Sequence, residues 1–140
     1  PKTVVDAQFS MPFGAAVAIL FGEASLDQFR QARVDDPRVK EMMTRVRCVE
    51  DSRLEPLYPK QWPASVKVQT KRGQTFTAWV DYPRGDPENA LSWDELTTKF
   101  ERLTARVYTK DRARRIARET RKLEKVGNLA TWSALLQKDR

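Results

Sequence analysis

The residues best suited to chemistry near the amino-terminal end are Gln8, Ser10 and Phe13. Ser10 precedes an apolar run over residues 11–21, so we predict that its side chain caps a buried helix covered on all sides. Free backbone N–H groups and the positive end of the helix dipole favour an anion at the first turn. We therefore predict that Gln8, Ser10 and Phe13 line an opening that favours an anion. The alternative is structural: Ser10 only caps the helix, and Phe9 and Phe13 are core residues.

Arg84 is a fourth candidate binding residue, in a loop over residues 83–91 that is bounded by proline and glycine. A guanidinium group matches a carboxylate through two parallel hydrogen bonds, so Arg84 is predicted to bind a carboxylate group. An exposed arginine without a functional role is the alternative.

The inventory of side chains excludes several kinds of catalysis. The chain has no histidine and a single cysteine, Cys48, which excludes a Cys–His nucleophile pair and a zinc site of nitrogen and sulfur ligands. Adjacent carboxylates lie at predicted turns and caps, and the glycines are too isolated to form a phosphate-binding loop. We therefore expect no catalytic residue, no metal site and no cofactor here, and an isolated domain without activity.

The elements that must position these residues indicate an α+β fold. Apolar spacing predicts an amphipathic helix over residues 37–45, followed by a short strand over residues 45–50 that carries Cys48 in the core. Alternating apolar residues on both sides of Gly73 predict an antiparallel hairpin with its apolar face on the first helices. The predicted sheet is thus small and antiparallel, a hairpin plus a short strand, packed with helices.

A helical tail follows the loop. Ser92 and Glu95 form a capping box that begins a helix ending near Val107, and Thr109 is predicted to cap a second helix that continues to Val126. A last short amphipathic helix follows. These helices carry apolar stripes that need a covering surface. We therefore predict an α/β domain over residues 1–90 and a helical tail over residues 91–140 that packs on a missing domain.

The net charge of +7 is concentrated between Lys99 and Lys125. Such a basic segment can bind nucleic acid or an acidic protein surface, although more often it is a solvated helix face. No aromatic residue interleaves the basic residues from Lys110 to Lys125, which argues against nucleic acid as a partner. A nucleic-acid-binding or protein-interaction module without catalytic activity therefore stands as the alternative function.

The chain is expected to be cytoplasmic. Its apolar run over residues 11–21 is shorter than the roughly 20 residues that cross a bilayer, so no contact with a membrane is expected. The single cysteine excludes an internal disulfide and indicates a reducing compartment. The sequence begins at Pro1 without a methionine, from which we expect an excised piece of a longer protein.

Three blocks of the sequence resemble the C-terminal part of the MmgE/PrpD family. The blocks are DAQFSMPFGAAVA over residues 6–18, WPA over residues 62–64, and PRGDPENALSWDEL over residues 83–96 followed by KF at 99–100. This family includes 2-methylcitrate dehydratase, cis-aconitate decarboxylase and iminodisuccinate epimerase. The resemblance covers roughly residues 4–105, and its order and spacing make it fairly specific.

The resemblance implies a cofactor-free lyase or isomerase that abstracts a proton beside a carboxylate of a small polycarboxylate, such as 2-methylcitrate in propionate catabolism. In this family the acid and base residues lie mainly in an N-terminal helical domain, and the present chain resembles the lid that closes the cleft. The position of Phe13 is often tyrosine, and a phenyl ring cannot donate a hydrogen bond. A different reaction, or none, is therefore open for this chain. Whether the intact protein is a homodimer is also open.

Overall fold

The computed structural model describes residues 1–137. Their contacts divide the chain into two compact units, Pro1–Ser52 and Arg53–Arg140, and the last three residues of the predicted tail lie outside the described part. The fold is α+β, as predicted. The predicted division into residues 1–90 and 91–140 concerns packing on a further domain and stays a prediction.

The first unit is built from helices. It contains α1 (Val4–Gln8), α2 (Met11–Phe21), α3 (Gln31–Val34) and α4 (Pro37–Met43). The predicted cap of α2 is confirmed, because Ser10 accepts a hydrogen bond from the first turn. Gly22 ends the helix at φ 77°. Glycine adopts this left-handed conformation without the steric cost that a side chain adds.

The core of the first unit lies between α1, α2, α3 and α4. Its buried residues are Ala7, Phe13, Ala16, Val17, Val34 and Val39. The prediction that α2 is covered on all sides is wrong, since Met11 and Ile19 are 73% and 51% exposed. The helix is apolar all round but buries one side only.

The second unit combines a hairpin with helices. Its elements are β1 (Ala64–Gln69), β2 (Thr75–Val80), α5 (Trp93–Thr104), α6 (Lys110–Thr120) and α7 (Leu129–Ser133), with 3-10 turns at Glu55–Leu57, Pro87–Asn89, Leu123–Lys125 and Ala134–Leu136. The longest of these helices, α5, has 12 residues. No helix within residues 1–137 has both the length and the apolarity that crossing a bilayer needs.

The predicted hairpin is confirmed, and its register matches the predicted alternation. Val66 pairs with Ala78 and Val68 with Phe76, so the apolar residues share one face. Within the structure that face is exposed, with Val66 and Phe76 at 56% and 59%. The predicted packing of this face on the first helices concerns a contact between the two units and stays a prediction.

The predicted short strand over residues 45–50 is also wrong. Residues 46–50 have no regular structure, and the described chain contains only the two strands of the hairpin. Cys48, predicted to lie in the core, is exposed. An alternating pattern without a partner strand therefore does not form a sheet here.

The caps of α5 and α6 are those predicted, but both helices end early. Ser92 and Glu95 form the capping box of α5, and Thr109 caps α6. The helices stop at Thr104 and Thr120 rather than near residues 107 and 126. The C-terminal segment then contacts α6, where Trp132 Nε1 donates to Thr120 Oγ1 at 3.2 Å.

Candidate functional site

The turn between α1 and α2 brings Gln8 and Ser10 to one edge of the first unit. Gln8 is the last residue of α1, and Ser10 caps α2. The turn is closed by the backbone N–H of Ser10, which donates to the Ala7 carbonyl at 3.1 Å. Gln8 is exposed and Ser10 half-buried, so both side chains are accessible at this edge.

Ser10 satisfies one of the backbone donors that the first turn of α2 leaves open and accepts the first bond within the helix. The N–H of Phe13 donates to Ser10 Oγ at 3.3 Å, and the N–H of Gly14 donates to the Ser10 carbonyl at 3.0 Å. Pro12 has no N–H to offer. The groups that remain for an anion are the Met11 N–H, the proton of the Ser10 hydroxyl and the helix dipole.

Phe13 lies beneath this edge rather than on it. Its ring has no exposed surface and packs against Phe29 with 5.4 Å between ring centroids. Phe9, which the structural alternative placed in the core, is 86% exposed instead. The structure thus places Gln8 and Ser10 together at the surface and Phe13 in the core below them, and a role for Phe13 as a pocket wall stays a prediction.

Asp6 stabilises α1 from its first turn. Its carboxylate accepts hydrogen bonds from the N–H groups of Lys2 and Thr3 at 2.9 and 3.0 Å, while its own N–H donates to the Thr3 hydroxyl. These bonds from Lys2 and Thr3 lower the pKa of Asp6. Because Thr3 and Asp6 bond each other reciprocally, they fix the first turn of α1, the helix that carries Gln8.

Arg84 belongs to the second unit and is held by two neighbours. Its Nη1 donates to Asn89 Oδ1 at 2.9 Å, and its Nη2 forms an ion pair with Glu95. The N–H and hydroxyl of Ser92, followed by the Arg84 guanidinium, lower the pKa of Glu95 to about 2. Arg84 is therefore anchored to the cap of α5, and its proposed contact with a carboxylate stays a prediction.

Sequence reasoning missed the aromatic neighbours of the basic tail. The guanidinium of Arg121 lies 5.4 Å from the ring centroid of Trp93, and that of Arg112 lies 5.4 Å from the ring centroid of Tyr108. Arg112 lies in the first turn of α6, whereas Tyr108 precedes the cap Thr109, so the pair is close in sequence but no helical spacing predicts the contact.

The described residues contain no group of three histidine, cysteine or acidic side chains that could hold a metal ion.

Comparison with known proteins identifies relatives along nearly the whole chain. The chain is 26% identical over 138 residues to the cis-aconitate decarboxylase-like protein oryM of Aspergillus oryzae. It is 23% identical over 137 residues to cis-aconitate decarboxylase of Mus musculus. The alignments cover 97% and 98% of this chain but 28% of each relative. The chain therefore spans little more than a quarter of the length of these proteins.

The model of the MmgE/PrpD C-terminal domain matches residues 1–125, which include α1 to α6 and the hairpin. Because this match covers most of the sequence, the chain belongs to the MmgE/PrpD family as its C-terminal domain.

Proposed function

We propose that this chain is the C-terminal part of a lyase or isomerase that abstracts a proton beside a carboxylate of a small polycarboxylate. The observation that carries the proposal is the similarity to cis-aconitate decarboxylase and a cis-aconitate decarboxylase-like protein over at least 97% of the chain. We take a tricarboxylate as the substrate class, with cis-aconitate and 2-methylcitrate as the two compounds to test.

In this proposal the edge between α1 and α2 contacts one carboxylate of the substrate. The Ser10 hydroxyl keeps a proton to donate, because the bond from the Phe13 N–H uses only its oxygen as acceptor. The Met11 N–H and the Gln8 amide add donors beside it. Hydrogen bonds from several neutral donors can hold a carboxylate without a cation in direct contact.

We propose Arg84 as an independent carboxylate contact within the second unit. A guanidinium has five N–H donors, and the bonds to Asn89 and Glu95 leave others for a ligand. An arginine that is already positioned loses less side-chain entropy on binding than a mobile one. The Glu95 carboxylate also offsets part of its charge, so we expect Arg84 to orient a carboxylate more than to attract it.

We assign no acid or base to this chain. The two carboxylates described above, Asp6 and Glu95, belong to capping boxes, and the chain has no histidine. Since the relatives are more than three times as long, we place the proton-transferring groups in a helical domain outside these residues. The chain's own contribution is then to bind and orient the substrate.

Replacement of Ser10 tests this proposal in the enzyme as the cell makes it, with CO2 release from cis-aconitate and water loss from 2-methylcitrate as the assays. Ser10→Asp keeps a strong helix cap but adds a negative charge that repels a carboxylate. We expect Ser10→Asp and Gln8→Ala to lower kcat/KM by about tenfold or more, the effect of losing a hydrogen bond to a charged group. Wild-type kinetics in both variants would show that this edge does not bind substrate.

The basic tail supports a second candidate, a nucleic-acid-binding module, because Trp93 lies beside Arg121 and is 48% exposed. Bases can stack on such a ring next to cations that contact phosphates. A titration with DNA at low ionic strength decides between the candidates. Binding that weakens steeply with salt would favour the module, and no binding would leave the enzyme as the function.

A further inference from the structure

A separate cavity lies between α6 and the C-terminal segment, within the second unit. It has a volume of about 430 Å³, in the range of sites that hold small organic molecules. Its lining includes, within residues 1–137, Asp111, Arg112, Arg115, Ile116, Ala134 and Leu135. None of them belongs to the candidate substrate-binding residues.

The wall of this cavity is fixed by hydrogen bonds between α6 and the backbone that follows α7. Arg112 Nε donates to the Leu135 carbonyl at 3.2 Å, and its Nη2 bonds the Gln137 carbonyl. The Tyr108 hydroxyl donates to the Leu136 carbonyl at 2.6 Å. Three bonds to consecutive carbonyls hold this segment beside α6 and fix the position of the cavity wall.

The floor of the cavity is apolar. Ile116 is only 2% exposed, and Leu135 is half-buried. A ligand with an apolar part removes its own surface from water against these side chains, which favours binding by about 0.8 kcal/mol per buried CH₂ group. A purely ionic ligand gains nothing from this floor.

The rim of the cavity carries more positive than negative charge. Arg115 is exposed and has no ion-pair partner among residues 1–137, and the guanidinium of Arg112 lies on the wall. Among the described residues that line the cavity, Asp111 is the single carboxylate. Two guanidinium groups against one carboxylate favour an anion, while Asp111 opposes it and can compete for Arg115 from four residues away.

We propose that this cavity binds a small organic anion with an apolar body, such as a medium-chain carboxylate. The guanidinium of Arg115 pairs with the carboxylate, and the hydrocarbon part lies on Ile116 and Leu135. A polycarboxylate has no comparable apolar part, so this site is distinct in its chemistry from the proposed substrate contacts and does not depend on them.

Titration of the ¹⁵N-labelled chain with octanoate tests the proposal, with amide chemical shifts as the measurement. Acetate keeps the charge without the apolar body, and 1-octanol keeps the apolar body without the charge. We expect octanoate to shift the amides of residues 111–116 and 134–135, and to bind at least about tenfold more tightly than either control. Equal affinity for octanoate and 1-octanol would refute the anion site, as would shifts elsewhere only.

Substitutions on α6 test the roles of the charges. We expect Arg115→Gln to weaken octanoate binding by about tenfold and Asp111→Asn to strengthen it by up to about fivefold. Arg118→Gln is the matched control, because Arg118 is an exposed arginine of the same helix that does not line the cavity. If Arg115→Gln and Arg118→Gln change the affinity equally, the binding is a general effect of net charge and the proposal is wrong.

Discussion

Phe13 and Phe9 form a matched pair, because the same side chain is buried at one position and exposed at the other, four residues away. Phe13 has no exposed surface and contacts Phe29, whereas Phe9 is 86% exposed. Truncation of a buried phenylalanine costs about 3–5 kcal/mol, because apolar contacts are lost and a cavity remains. We expect Phe13→Ala to lower the free energy of unfolding by that amount and Phe9→Ala by less than about 0.5 kcal/mol.

The stability of the Phe13→Tyr variant shows whether residue 13 lies in the core or at the wall of an open pocket. At a fully buried position the added hydroxyl has no water to bond, which costs about 1–3 kcal/mol unless it finds a partner. At the wall of an open pocket the hydroxyl is hydrated, and the free energy of unfolding changes little. We expect Phe13→Tyr to lower the free energy of unfolding by the 1–3 kcal/mol, roughly, of a buried hydroxyl without a partner. Phe13→Leu, with a cost of about 1.5 kcal/mol or less, serves as the milder variant should Phe13→Ala fail to fold.

The assay combines urea unfolding with local hydrogen exchange. All four tryptophans of the chain lie beyond residue 52, so their fluorescence reports on the second unit and not on Phe13. Circular dichroism follows the loss of helix, and hydrogen exchange of peptides from residues 11–21 follows α2 itself. We expect faster exchange in Phe13→Ala than in Phe9→Ala. Equal exchange rates and equal unfolding midpoints for the two variants would contradict the burial of Phe13.

Three further predictions concern caps and turns. Glu95 has a pKa of about 2 against an ordinary 4.5, so its stabilisation is present above pH 4.5 and lost as pH falls toward 2; urea midpoints of Glu95→Gln should therefore change less over this range than those of the wild type. Gly22→Ala should cost about 1–2 kcal/mol because φ is 77°, whereas Gly14→Ala, with open space for a Cβ, should stabilise α2 by up to about 1 kcal/mol in thermal melts. Ser10→Ala should cost about 1 kcal/mol in urea unfolding, and Ser10→Asp should restore that stability.

Helix starts were predictable from the sequence because a cap is a local structure. Ser10, Ser92 and Thr109 each bond an N–H three residues further along, so the donor and the acceptor lie within one turn. The hairpin is local in the same sense, since a turn at Gly73 with φ 82° fixes the register of both strands. In both cases the few residues that decide the structure are neighbours in the chain.

Burial and helix ends depend on distant parts of the chain, and there the sequence was misleading. Cys48 and the apolar face of the hairpin follow patterns that are typical of buried residues, yet both are exposed. Alternation shows which residues share a face but not what covers that face. Likewise, α6 ends at Thr120 although its apolar spacing continues, and Trp132 bonds this last residue from a segment that follows.

Part of the candidate site could be predicted for the same reason. Ser10 was identified because it caps α2, whereas the partner of Arg84 was missed because Glu95 is eleven residues away across a loop with Gly85 at φ 111°. The hydrogen bond that makes Ser10 recognisable uses its oxygen as an acceptor, while a substrate carboxylate needs its proton. The two roles therefore use different parts of one hydroxyl, and stability alone cannot distinguish them. In the Ser10→Asp variant the aspartate still caps α2 but repels a carboxylate. A change in its kinetics therefore reports on substrate binding and not on the helix cap.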